Sequence, residues 1–98
     1  MSVKVFIRRK FPKESERDLM QCIRQIREVV PTMPGYVSGE YLKAINVNDE
    51  IMTISSWFSM EDWQTWMDSE ERRTVQAKID ALPGVTSEYT IYRVIKTR

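Results

Sequence analysis

Residues 54–73, ISSWFSMEDWQTWMDSEERR, constrain the fold of this chain more than any other stretch. They open with strand-like alternation through Ile54, Ser56 and Phe58 and turn over at Ser59. Trp63, Trp66 and Met67 then fall at i, i+3 and i+4, one face of a helix. Ser59 followed three residues later by Asp62 is a capping-box-like start, in which each side chain satisfies a backbone donor of the first turn. All three tryptophans of the chain, Trp57, Trp63 and Trp66, lie here. Burying one removes about 150–250 Å² from water, roughly 4–6 kcal/mol as an upper bound. A strand and a helix this rich in indole must pack on each other and carry the core.

With 98 residues, a chain buries only about 60–65% of its unfolded surface, so residues 1–98 are expected to form a single domain. A net charge of +1 supplies no field to draw in nucleic acid or an anionic membrane. The lone cysteine, Cys22, excludes an internal disulfide and suits a reducing compartment. The first apolar run is cut short by Arg8 and Arg9, unlike a signal peptide, and no run approaches the ~18 residues that cross a bilayer. The expected location is the cytoplasm. The chain has no histidine, which excludes histidine-based triads and imidazole ligation of haem or zinc.

Val3, Val5 and Ile7 alternate with Lys4, Phe6 and Arg8 in a strand that Pro12 ends. Ser15 and Asp18 suggest a second capping box. Leu19, Ile23, Ile26, Val30 and Met33 then mark an amphipathic helix of about four turns, with Arg17, Arg24, Arg27 and Glu28 on its wet side. Pro31, Pro34 and Gly35 stop it. Residues 36–45 read as a second strand with Gly39 as a bulge or close-approach point. Asn46-Val47-Asn48-Asp49 joins it to a third strand over 51–58. Ser69 restarts the chain as a further helix with Val75, Ile79 and Leu82 inward, and residues 85–95 form the last strand.

The order β-α-β-β-α-β, with the second helix broken in two, predicts an α+β, ferredoxin-like fold. Its four-stranded antiparallel sheet carries the helices on one face. The strands place apolar or aromatic residues on both faces (Val5 and Phe6, Ile51 and Met52, Ile91 and Tyr92). A homodimer in which two sheets pack face to face is therefore expected. RNA-recognition modules share the element order, but their third strand carries basic, glycine and aromatic residues. The third strand here, EIMTISSW, has neither glycine nor positive charge.

Pro34-Gly35-Tyr36 and the pattern Trp57-x-Ser59-x-Glu61-x-Trp63-x-x-Trp66-x-x-Ser69-x-x-Arg72 resemble the antibiotic biosynthesis monooxygenase family of dimeric α/β-barrel proteins. The resemblance implies oxidation of small aromatic or quinol-type substrates with no metal, flavin or other cofactor. In that chemistry the bound substrate anion reduces O2, while the protein orients it and supplies hydrogen bonds. A haem-degrading branch uses an asparagine on the first strand, a tryptophan on the broken helix and a histidine ten residues on. Only the tryptophan, Trp66, is matched here. The histidine position falls on Gln76 and the asparagine position on or beside Arg8, so the iron ligand is missing.

The resemblance places Trp66 at the pocket wall, its indole N–H aimed at a substrate oxygen. Trp57 and Trp63 read first as core, with Trp57 also a candidate for the pocket lining. Arg8 and Arg9 point to opposite faces of the first strand, and an arginine on the helix side needs a partner or a polar cavity. The first expectation is that both snorkel to the strand end; the alternative is that one of them, or Arg93 on the neighbouring last strand, holds an anionic substrate. Arg8 is taken with Trp66 as the catalytic pair; Gln76, Trp57, Arg93 and Tyr36 are taken as substrate contacts. Glu61-Asp62 and Glu70-Glu71 suit helix N-termini, and Cys22 suits a buried structural thiol. Arg8, Arg9 and Lys10 with Arg93, Lys96 and Arg98 form a possible basic rim, and Glu40 is a candidate base. The rival function is a small-molecule-binding or sensing homodimer without catalysis, on the same fold.

Overall fold

The computed structural model describes residues 2–97. Its strands are β1 (Val3–Lys10), β2 (Tyr36–Lys43), β3 (Glu50–Trp57) and β4 (Thr86–Arg93). Its α-helices are α1 (Glu16–Val29), α2 (Met60–Asp68) and α3 (Glu70–Asp80), with single 3-10 turns on either side of α1. The strands form one antiparallel sheet in the order β2-β3-β1-β4. This is the ferredoxin-like arrangement expected from the pattern of elements.

Alternation along each strand decides which side chains meet the helices. Val3, Val5, Ile7 and Arg9 of β1 point inward, as do Ile51, Thr53, Ser55 and Trp57 of β3. Two apolar clusters result. One joins Val3, Val5, Ile7 and Val30 to the three tryptophans, and the other joins Phe11, Leu19, Cys22, Ile23, Ile51, Val75 and Ile79. Arg9 lies on β1 between Ile7 of the first cluster and Phe11 of the second. The middle of the core therefore contains a polar seam.

Half of the box expected at Ser59 forms: its Oγ accepts from the Asp62 amide at 3.1 Å, while the Asp62 carboxylate accepts from the Ser59 hydroxyl at 2.9 Å in place of the Ser59 backbone amide. The second expected box does not form. Ser15 already has helical backbone angles at the end of a 3-10 turn, and its hydroxyl donates to the Pro83 carbonyl at 2.8 Å. The β2 irregularity falls between Tyr36 and Ser38 rather than at Gly39. Gly39 is a close-approach point, where a β-carbon would collide with the Tyr36 hydroxyl. β4 ends at Arg93 instead of Ile95 because its partner β1 begins at Val3, the residue opposite Arg93.

The same register separates the expected basic rim. Lys10 faces Thr86 and Val3 faces Arg93, so the two groups of cations occupy opposite ends of the sheet. Arg98 lies outside the described residues. No helix of the described residues is long and apolar enough to cross a membrane.

Candidate functional site

The break between α2 and α3 brings the polar seam and the aromatic wall together. Ser69 has an extended backbone (ψ 147°), which stops α2 and starts α3. Its hydroxyl donates to the Trp66 carbonyl at 2.7 Å and accepts from the Arg72 amide at 3.2 Å. One serine thus fixes the end of the helix that bears Trp66 against the start of the helix that bears Arg72 and Gln76. Gly35 secures the other end of α2. Its φ of +82° and its contact with the Asp62 side chain leave no room for a β-carbon.

Beneath the sheet centre these elements enclose a cavity of about 20 Å³, lined by Ile7, Arg9, Trp66, Arg72, Gln76 and Tyr89 among others. That is room for about one water molecule. The Arg9 guanidinium, 2% exposed, donates through Nη2 to Gln76 Oε1 at 3.1 Å. The Tyr89 hydroxyl donates to the same oxygen at 3.1 Å and accepts from Arg72 Nη2 at 2.7 Å. Gln76 Nε2 in turn donates to Asp80 at 2.9 Å. Gln76 therefore spends its carbonyl on one arginine and one phenol, and its amide on a carboxylate.

Among the described residues neither Arg9 nor Arg72 has a carboxylate within ion-pair distance. Burial pushes the Arg9 pKa below the ordinary arginine value, with Tyr89 opposing, yet an arginine keeps its charge at neutral pH. An uncompensated buried charge costs several kcal/mol. Two buried polar atoms lack any hydrogen-bond partner among the described residues, Arg9 Nε and Ser87 Oγ. They belong to residues directly opposite each other on β1 and β4. The arrangement can stabilise negative charge, and nothing in the described chain occupies that role.

Of the residues singled out from the sequence, Trp66 and Gln76 line this cavity. Trp57 stands behind Trp66 in a near-parallel stack, ring centroids 6.4 Å apart. It is fully buried, with its indole N–H donating to Ser55. Tyr36 packs edge-on against Trp57 at 5.4 Å and is not among the cavity residues. Arg93 lines a separate surface cleft with Val3, Met60, Glu61 and Ile91. Arg8 is on the opposite face of the sheet, paired with Glu50 at 3.4 Å and Glu88 at 3.5 Å. Glu40, opposite Ile54 on β3, also points to that outer face.

Arg9, Arg72 and Tyr89 also line the cavity, beyond the candidates taken from the sequence for catalysis or substrate contact. The signal for Arg9 was its phase with Val3, Val5 and Ile7; for Arg72 it was the last position of the tryptophan-rich pattern. Among the described residues no group of three or more acidic, cysteine or histidine side chains could hold a metal ion.

The fold is shared with proteins of known structure. Rv0793 from Mycobacterium tuberculosis superposes with a TM-score of 0.89 at 12% identity, covering 98% of this chain and 97% of that one. A conserved protein from Methanosarcina mazei Go1 gives 0.88 at 12% identity, covering 95% and 92%. SnoaB, a cofactor-independent oxygenase from Streptomyces nogalater, gives 0.72 at 17% identity, covering 98% and 95%. At these identities the likeness is one of fold. Comparison of the sequence with curated proteins finds no match. The family model for antibiotic biosynthesis monooxygenase, however, matches residues 2–78, which run from β1 into α3 and include Arg9, Trp66, Arg72 and Gln76. The chain belongs to the antibiotic biosynthesis monooxygenase family.

Proposed function

We propose that residues 1–98 form one monooxygenase-like domain that oxidises a small aromatic or quinol-type substrate without a cofactor, at the cavity formed by Trp66, Arg9, Gln76 and Tyr89. The observation that carries this reading is the Arg9 charge, buried beside an aromatic wall with no carboxylate partner and an unpartnered Nε–H among the described residues. A phenolate or enolate oxygen placed there gains charge-assisted hydrogen bonds, each about 1.5–3 kcal/mol. Holding the substrate as its anion is what lets it reduce O2 directly. In such a reaction the substrate carbon, as a carbanion, adds O2 to give a peroxide anion. Loss of hydroxide leaves a new carbonyl, and the proton first released completes water.

The chain's own contribution is to favour the anion, orient its ring along Trp66 and exclude water. The cavity residues include no carboxylate, so the substrate must be acidic enough to ionise with Arg9 and Arg72 as the only counter-charges among the described cavity residues. The same shortage supports a second reading, in which the site binds an aromatic anion without turning it over. The homodimer belongs to both readings. Phe6, Leu42, Met52, Ile54 and Tyr92 form an apolar patch on the sheet face away from the helices, which supports pairing through that face.

Oxygen consumption by chelator-treated protein, against a panel of hydroquinones and polycyclic phenols with tryptophan fluorescence followed in parallel, tests the proposal. Uptake above the spontaneous rate that falls at least about tenfold in Arg9→Gln and in Trp66→Phe supports the oxygenase. Quenching without uptake selects the binding module. Neither signal with any compound rejects both.

A further inference from the structure

A cavity with room for one water cannot admit an aromatic ring, so a ligand of the proposed site must displace a wall. The walls differ in what they can do. Trp66, Gln76, Ile7 and Ile23 are buried and belong to helices or to a central strand. β2 and β4 have no buried residue along their lengths. Tyr89 reaches the cavity from β4 but is tied to Arg72 and Gln76 through its hydroxyl, whereas Tyr41 reaches it from β2 with no such bond among the described residues.

On the other side of Tyr41 lies a groove of about 340 Å³ between α1 and β2, within the size range of ligand sites, roughly 300–1,000 Å³. Groove and cavity share three side chains, Ile23, Tyr41 and Thr53. Ile23 and Thr53 are buried, at 5% and 6% exposed. Tyr41 is half-buried, packed against the second apolar cluster, and the Arg27 guanidinium lies over its ring, 5.5 Å from the centre. The groove rim carries Arg24, Arg27 and Lys43 against a single carboxylate, Glu16, which pairs with Lys43 at 3.4 Å. Of those three cations, Arg24 and Arg27 have no ion-pair partner among the described residues. Both spaces are therefore suited to an anion, and one side chain divides them.

We infer that the α1–β2 groove is the outer half of the ligand site and Tyr41 its door. An aromatic anion is drawn in by Arg24 and Arg27, Tyr41 swings off Arg27, and the ligand's ring takes the place of the tyrosine ring. The oxyanion then reaches Arg9, and the body of the ligand stays in the groove against Met20 and Ile23. This rests on the function proposed above and adds the ligand's path and orientation. It selects planar ligands whose acidic oxygen sits at one end of the ring system, because the other end must leave through the groove.

The probe is lawsone, a hydroxynaphthoquinone that is a monoanion at neutral pH, followed by stopped-flow quenching of tryptophan fluorescence. In low salt, Arg24→Glu slows association by about tenfold, and high salt removes the difference. In high salt, Tyr41→Ala and Arg27→Gln each speed association severalfold, since the door opens more often. Circular dichroism checks folding; Arg27, being exposed, carries the door test even where Tyr41→Ala unfolds the chain. Unchanged association in all three variants, with binding still abolished by Arg9→Gln, overturns the path and leaves the proposed function intact. Binding that survives Arg9→Gln, or no quenching of the unaltered protein by lawsone, removes the anion site and the path with it.

Discussion

The Arg9 guanidinium and the Gln76 side-chain carbonyl meet at 3.1 Å, and both residues are buried, at 2% and 8% exposed. The contact links the central strand to α3, yet it is a poor structural bond. It neutralises no charge and leaves Arg9 Nε without a partner among the described residues. A chain selected only for stability would place an apolar side chain at residue 9, in phase with Val3, Val5 and Ile7.

Arg9→Met is therefore expected to leave stability unchanged or raise it by about 1 kcal/mol, since apolar replacement of buried charge is often neutral or stabilising. Tyr89 still donates to Gln76 in that variant. Anion binding should be lost. Urea denaturation combined with lawsone titration checks both; a stability loss beyond about 2 kcal/mol would mark Arg9 as a structural residue.

Gly35→Ala is expected to destabilise the fold by about 2 kcal/mol or more, through its left-handed φ and through collision with Asp62. Asp62 closes the cap of α2, so the damage should reach the tryptophans. The measurement is chemical denaturation together with near-ultraviolet circular dichroism. A variant with unchanged midpoint and spectrum would show that the turn can relax without moving α2.

Stability should decline in alkali. Burial raises the pKa of Cys22, Tyr36 and Tyr41. An acid with a raised folded pKa contributes fully below its unfolded pKa and loses that contribution as pH rises through the folded one. Loss should begin near pH 8.5 for the thiol and near 10 for the phenols, the unfolded values being about 8.5 and 10. Denaturation midpoints from pH 7 to 11 test this, and Cys22→Ala should remove the earlier part. A flat profile would contradict it.

The outer face gives a separate prediction. Phe6 and Tyr92 meet edge-to-face at 5.1 Å on the side away from the helices, and Ile54 sits opposite Phe6 on β3. The unaltered chain should sediment as a dimer at micromolar concentration and Ile54→Lys as a monomer with its fold intact. A monomeric unaltered chain would dismiss face-to-face pairing.

Element order, the antiparallel sheet, the cap at Ser59 and the restart at Ser69 were legible from the residues alone, because period and capping act within a few positions. The family resemblance also marked Trp66 and, as the position of the haem-degrading branch's histidine, Gln76. Which strand arginine is buried was a matter of phase: Arg9 follows Val3, Val5 and Ile7 inward, and the pairing with β3 and β4 puts Arg8 outside with Glu50 and Glu88. Tertiary structure alone decided that Arg9, Gln76, Tyr89 and Arg72 form one network. These residues come from three elements, and no local pattern encodes a meeting across that distance. It also set Tyr36 edge-on against Trp57 and Trp57 in a stack with Trp66, and put Tyr41 between cavity and groove. Contacts of that kind depend on how far α1 stands from β2, which is set by the packing of the whole helix layer on the sheet.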